Sequence, residues 1–87
     1  MMTGAQVRAA RALAGVDQRA LADRAGLSIP TIQRMEASSG VVRGNVDSLM
    51  KLVAAFEKLG IELINESEAG GRGVRLKLAS ATAKGRR

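Results

Sequence analysis

The sequence predicts a mostly α-helical domain, four helices followed by a C-terminal β-hairpin. Apolar residues recur at helical period through residues 3–60, in runs separated by capping and breaking residues. After Gly60 the period shortens to two, as in VRLKL at 74–78. Between these limits lies QRALADRAGLSIPTIQRME, residues 18–36, which reads as two short helices joined by a tight turn at Gly26.

The first helix is predicted to open at Thr3, because Thr3 and Gln6 have capping-box spacing. Val7, Ala10, Leu13 and Ala14 form its apolar stripe, and Gly15 ends it. Asp17 is the predicted cap of helix two, which spans about 17–25. Its inner face is Leu21, Ala22 and Ala25, where the small side chains allow a close neighbour. Gly26 suits a left-handed turn position, and Leu27 packs behind it.

Helix three, about 28–37, is capped by Ser28 and carries Pro30 in its first turn, where a missing N–H costs nothing. Ile32 and Met35 are assigned to the core; Ile29, Thr31, Gln33 and Arg34 face elsewhere. ASSG at 37–40 breaks the helix, and a loop through Arg43 leads to Asn45, the predicted cap of helix four. Val46, Leu49, Met50, Val53, Phe56 and Leu59 form the longest periodic stripe, and Gly60 stops it.

Residues 61–78 follow as a hairpin: IELINE, a turn of composition SEAGGR, then VRLKL. Two strands alone are marginal in water and leave an unpaired edge. Ile61, Leu63, Val74, Leu76 and Leu78 therefore either fold back on helix four or meet a second copy. The expected arrangement is a homodimer through these five residues. Residues 79–87, ASATAKGRR, have no apolar pattern and are expected to be a disordered basic tail, either a phosphate-binding arm or a solvated end.

Composition bounds the function. At 87 residues and 46% hydrophobic, the chain has enough apolar content for one small core, and oligomerisation often supports such cores. With neither Cys nor His, disulfides, Cys/His metal sites and His or Cys catalysis are excluded. No apolar run reaches about 18 residues, and MMTGAQVRAA lacks the apolar core of a signal peptide, so a cytoplasmic protein with no membrane partner is expected. Net charge is +6, which suits a nucleic acid. The excess lies wholly in residues 69–87, since eight basic and eight acidic residues balance over 1–68.

No acid/base pair or phosphate-cradling glycine loop is visible, so an enzyme is not expected, nor is any cofactor. The one aromatic residue, Phe56, lies on a core stripe, which disfavours single-strand and RNA binding by base stacking.

Residues 18–36 resemble the helix-turn-helix of the Cro/repressor-type (xenobiotic-response-element-like) family of bacterial and phage transcriptional regulators. Gln18, Leu21, Ala22, Gly26, Ser28, Thr31, Ile32, Arg34 and Glu36 stand at its spacing, with Arg11 four residues before Gly15. The resemblance covers residues 3–60 and implies a lambda-repressor-like DNA-binding domain whose third helix enters the major groove of double-stranded DNA. It implies base contacts from Ile29, Pro30, Thr31, Gln33 and Arg34, with the first two suited to a thymine methyl. It implies phosphate contacts around Gln18, Arg19, Ser28, Arg43 and Asn45. Arg11 and Glu36 are implied as an internal ion pair.

The expected function is that of a sequence-specific, dimeric repressor on a two-part operator, its recognition helices about 34 Å apart. The alternative is an interaction module, antiactivator or antitoxin-like, that binds another regulatory protein through the same fold; the neutral balance of residues 1–68 and the apolar start of helix three point that way.

Overall fold

A computed structural model describes residues 2–78; the expected tail at 79–87 lies outside the described residues. The chain runs α1 (Gly4–Ala14), α2 (Gln18–Ala25), α3 (Ile29–Glu36), α4 (Val46–Lys58), β1 (Ile61–Ile64) and β2 (Gly73–Leu76). Each helix begins on a side chain that accepts a first-turn N–H, the role such caps serve because those donors have no intrahelical partner. Thr3 accepts from Gln6, Asp17 from Ala20, Ser28 from Thr31 and Asn45 from Ser48. Gly26 closes α2 at φ 71°, a conformation costly to residues with a Cβ, and its N–H bonds the Ala22 and Asp23 carbonyls. The chain thereby turns within three residues into the Ser28 cap of α3.

The core takes Val7 and Ala10 from α1, Leu21, Ala22 and Ala25 from α2, and Ile32 and Met35 from α3. Leu52, Ala55 and Phe56 of α4, Ile61 of β1, and Met2 and Val42 outside the helices complete it. The burial of α4 corrects its expected stripe. Leu49, Leu52, Phe56 and Leu59 face the core, whereas Val46 and Met50 are 70% and 65% exposed and Val53 also lies outside. The helix carries two apolar arcs at the same period, and only the position of its neighbours selects which is buried.

The hairpin follows the first of its two expected courses, packing back on the helices. β1 and β2 pair antiparallel, with Ile61 opposite Leu76, Glu62 opposite Arg75, Leu63 opposite Val74 and Ile64 opposite Gly73. Ile61, Leu63, Val74 and Leu76 thus share one face. Ile61 is buried in its own protomer and Leu63 and Val74 pack against the same core, so this face folds back on the helices. Such contact within one chain requires no association. Leu76, although opposite buried Ile61, and Leu78 remain exposed. On the opposite face Arg75 bonds Glu62 at 2.8 Å.

Two long-range features position the helices. The N-terminal segment pairs with the loop after α3: Val42 N–H donates to the Met2 carbonyl at 2.8 Å, and Thr3 bridges Val41. Gly4 then sits so close to the end of α3 that a Cβ there would lie 2.8 Å from the Glu36 carbonyl oxygen and closer still to that of Ser38. Gln6 is buried and clamps the hairpin. Its Nε2 donates to the carbonyls of Ile64 and Gly73, each at 2.9 Å, while its Oε1 accepts from Thr3 N–H.

Candidate nucleic-acid interface

The outer side of α3 is a stripe at helical spacing: Pro30, Gln33, Arg34 and Ala37 are all exposed. Ile32, Met35 and Glu36 occupy the inner side. The placement follows from local chemistry. Ser28 fixes the first turn, with its Oγ 2.8 Å from Thr31 Oγ1 and accepting Thr31 N–H at 3.2 Å. Arg34 Nη2 leans back on Thr31 Oγ1 at 3.4 Å, which draws its guanidinium toward the first turn.

Beside this stripe, Thr31, Arg34, Arg43, Asn45 and Ser48 line a concavity of about 200 Å³ at the opening of α4. Two guanidinium groups and a helix N-terminus carry the same sign of charge, and all are suited to an anion. Asn45 uses Oδ1 to cap Ser48 N–H at 2.7 Å, so Nδ2 is its remaining donor.

Behind α3 lies a polar cluster. Glu36 is 4% exposed; it accepts from Arg11 Nε at 2.7 Å and from Arg11 Nη2 at 3.2 Å, a two-point fork. Arg11 also donates to the Val16 carbonyl, and Arg8 donates to the Glu36 carbonyl. The hydrogen bond to Glu36 raises the Arg11 pKa above its ordinary value, desolvation notwithstanding, so the guanidinium is charged throughout the useful pH range. Gln18 Nε2 donates to Glu36 Oε1 at 3.1 Å, and Gln33 Nε2 donates to Gln18 Oε1 at 3.4 Å.

Gln33, Arg34, Arg43, Asn45 and Ser28 lie on or beside one surface, and Thr31 is half-buried at its edge. Ile29 is half-buried against the core, so less of it is available to a base than its place in the first turn suggests. Gln18 turns its side chain toward Glu36 and Gln33, and Arg19 is exposed one position along α2.

The positioning roles of Gly4, Gln6 and Arg8 were not read from the sequence. Gln6 carried a signal only for its local cap. Nothing in residues 1–10 encodes which distant carbonyls they meet. No group of acidic side chains among the described residues is placed to hold a metal ion, and none of their helices is long and apolar enough to cross a membrane.

Against known proteins, no curated sequence matches the chain. A family model described as a helix-turn-helix domain matches residues 3–58, the stretch from the cap of α1 to the last residue of α4. With four capped helices, a glycine turn between α2 and α3, and that match over more than half its length, the chain belongs to the helix-turn-helix domain family.

Proposed function

We propose that the chain is a dimeric regulator that binds double-stranded DNA sequence-specifically, with α3 in the major groove. The observation that carries the reading is the exposed stripe Pro30–Gln33–Arg34–Ala37 lying against the Arg34–Arg43–Asn45 concavity. A helix of this width fits the major groove, and a cationic hollow beside it suits the adjoining phosphate. Arg34 and Gln33 supply polar groups for base edges, and Pro30 offers an apolar contact to a thymine methyl. Arg43 and Asn45, with Arg19, Ser28 and the first-turn amides of α2, anchor the backbone.

The dimer is supported by apolar surface that the protomer leaves outside. Val46, Met50 and Val53 line one side of α4, and Leu76 and Leu78 follow the hairpin. A second copy placed on this surface removes it from water and presents two copies of α3 to a two-part operator. Binding across a promoter then represses by occlusion.

The test is selection of bound duplexes from a random pool, followed by fluorescence anisotropy on the enriched sequence over a salt series. Enrichment of a palindromic sequence with affinity falling steeply in salt is expected. No enrichment, or salt-insensitive binding, overturns the reading. A second reading, a module that binds another regulatory protein, is favoured in the structure by the exposed α4 side. It is the better account if the chain is monomeric, binds no duplex, and captures one stoichiometric protein partner through Met50.

A further inference from the structure

The cluster behind α3 is directional, and its direction reaches the surface. Glu36 is a buried carboxylate held by a two-point fork from Arg11. An ionised carboxylate only accepts hydrogen bonds. Gln18, 3.1 Å from Glu36 Oε1, therefore presents its NH2 inward and its carbonyl oxygen outward. That oxygen in turn only accepts, so Gln33, 3.4 Å away, turns its own NH2 toward Gln18. A surface glutamine amide otherwise flips freely between two orientations of similar shape. Here the orientation is imposed from the core, through one amide to the next.

One Gln33 amide proton is committed to Gln18. What remains for the groove is one N–H donor and one carbonyl acceptor with a fixed sense. In the major groove guanine offers two acceptors, cytosine a donor alone, and thymine an acceptor with a methyl group; only adenine sets an acceptor, N7, beside a donor, N6.

We infer that Gln33 is the adenine-reading residue of α3, and that Gln18 and Glu36 are positioning residues that fix the sense of its amide from inside the fold. This rests on the DNA-binding reading above. It adds one predicted operator base and assigns base preference to two side chains behind the recognition surface.

Random-pool duplex selection with the full-length chain, as wild type, Gln33→Ala and Gln18→Met, tests it. Gln18→Met keeps the length of the side chain and leaves the Arg11–Glu36 pair in place, and a thermal melt near wild type establishes that the variant folds. Wild type is expected to enrich adenine at one position of each half-site. Gln33→Ala should reduce that preference about tenfold and leave the other positions unchanged. Gln18→Met should reduce the same preference about threefold or more, the size of one lost hydrogen bond, through a residue that does not itself read the base.

If Gln33→Ala removes the adenine preference but Gln18→Met retains it in full, the relay is overturned. If Gln18→Met weakens all sequences equally, its role is structural and the relay is likewise overturned. Adenine preference surviving in Gln33→Ala overturns the assignment of Gln33. If wild type enriches no duplex, the DNA-binding reading fails, and the inference fails with it for a distinguishable reason.

Discussion

Glu36 shows how much one side chain decides in a protein of this size. Its carboxylate is buried beneath α3, where an unpaired charge is expensive, and the Arg11 fork compensates it. Arg11→Ala strands that charge and is expected to lower stability by about 3 kcal/mol in urea unfolding. The Arg11 contribution has a defined pH window. Its folded pKa is raised, so the stabilisation is complete below the unfolded value and is lost only as pH rises through the folded one, in strong alkali. Stability from Arg11 should therefore be flat between pH 6 and 9. The spacing of Arg11 and Glu36 was legible through the family resemblance, but the third donor, Gln18, was not, because the same glutamine reads equally well as a solvent-facing phosphate ligand. Gly4 is a second residue on which geometry depends. Gly4→Ala drives a methyl group into backbone carbonyls that cannot rotate away. Forced separation of α1 from the end of α3 is expected to cost about 1–3 kcal/mol, read from the same unfolding curves.

At the scale of elements, capping chemistry explains why the helix starts were readable and the packing faces were less so. Thr3, Asp17, Ser28 and Asn45 each act on donors three residues away, a range that sequence records directly. Gln6 acts at that range and also on Ile64 and Gly73, some sixty residues on. The two roles separate experimentally. Thr3→Ala removes the cap and should cost about 1 kcal/mol, leaving the hairpin amides as protected as before. Gln6→Ala leaves two hairpin carbonyls without their donor and should cost about 2 kcal/mol, with faster hydrogen exchange across Ile61–Ile64 and Gly73–Leu76. The concavity between α3 and α4 makes a parallel prediction for binding. Arg43→Ala should weaken all duplexes nearly alike and reduce the salt slope by about 1, whereas Arg34→Ala should relax base preference as well, by about 1–3 kcal/mol.

For the molecule as a whole, the distribution of apolar surface matters more than the charge total. The net charge of +6 comes from residues 69–87, so the helical region relies on the local placement of Arg34 and Arg43 to present positive charge. Its apolar surplus lies along Val46, Met50 and Val53, where no part of the described chain covers it fully. If a second copy lies there, Met50→Glu introduces like charges across the twofold contact. The expected result is a shift from dimer to monomer in sedimentation velocity and at least tenfold weaker operator binding, with the melting profile of the isolated protomer retained. An unchanged sedimentation coefficient would place the contact elsewhere, with Leu76 and Leu78 the next surface to substitute.

What the sequence determined by itself was local: helix starts, the Gly26 turn, the change of period after Gly60, and the stripe on α3 that includes Gln33 and Arg34. These depend on interactions spanning three or four residues, where a residue's chemistry and its neighbours suffice. Which of two apolar arcs of α4 is buried, whether the hairpin covers its own core, and which way a glutamine amide points were decided only by the tertiary structure. In each case two arrangements have nearly equal local energy. The choice falls to partners distant in the chain: the helices beneath Ile61, the carbonyls above Gln6, and the buried charge of Glu36 behind Gln18.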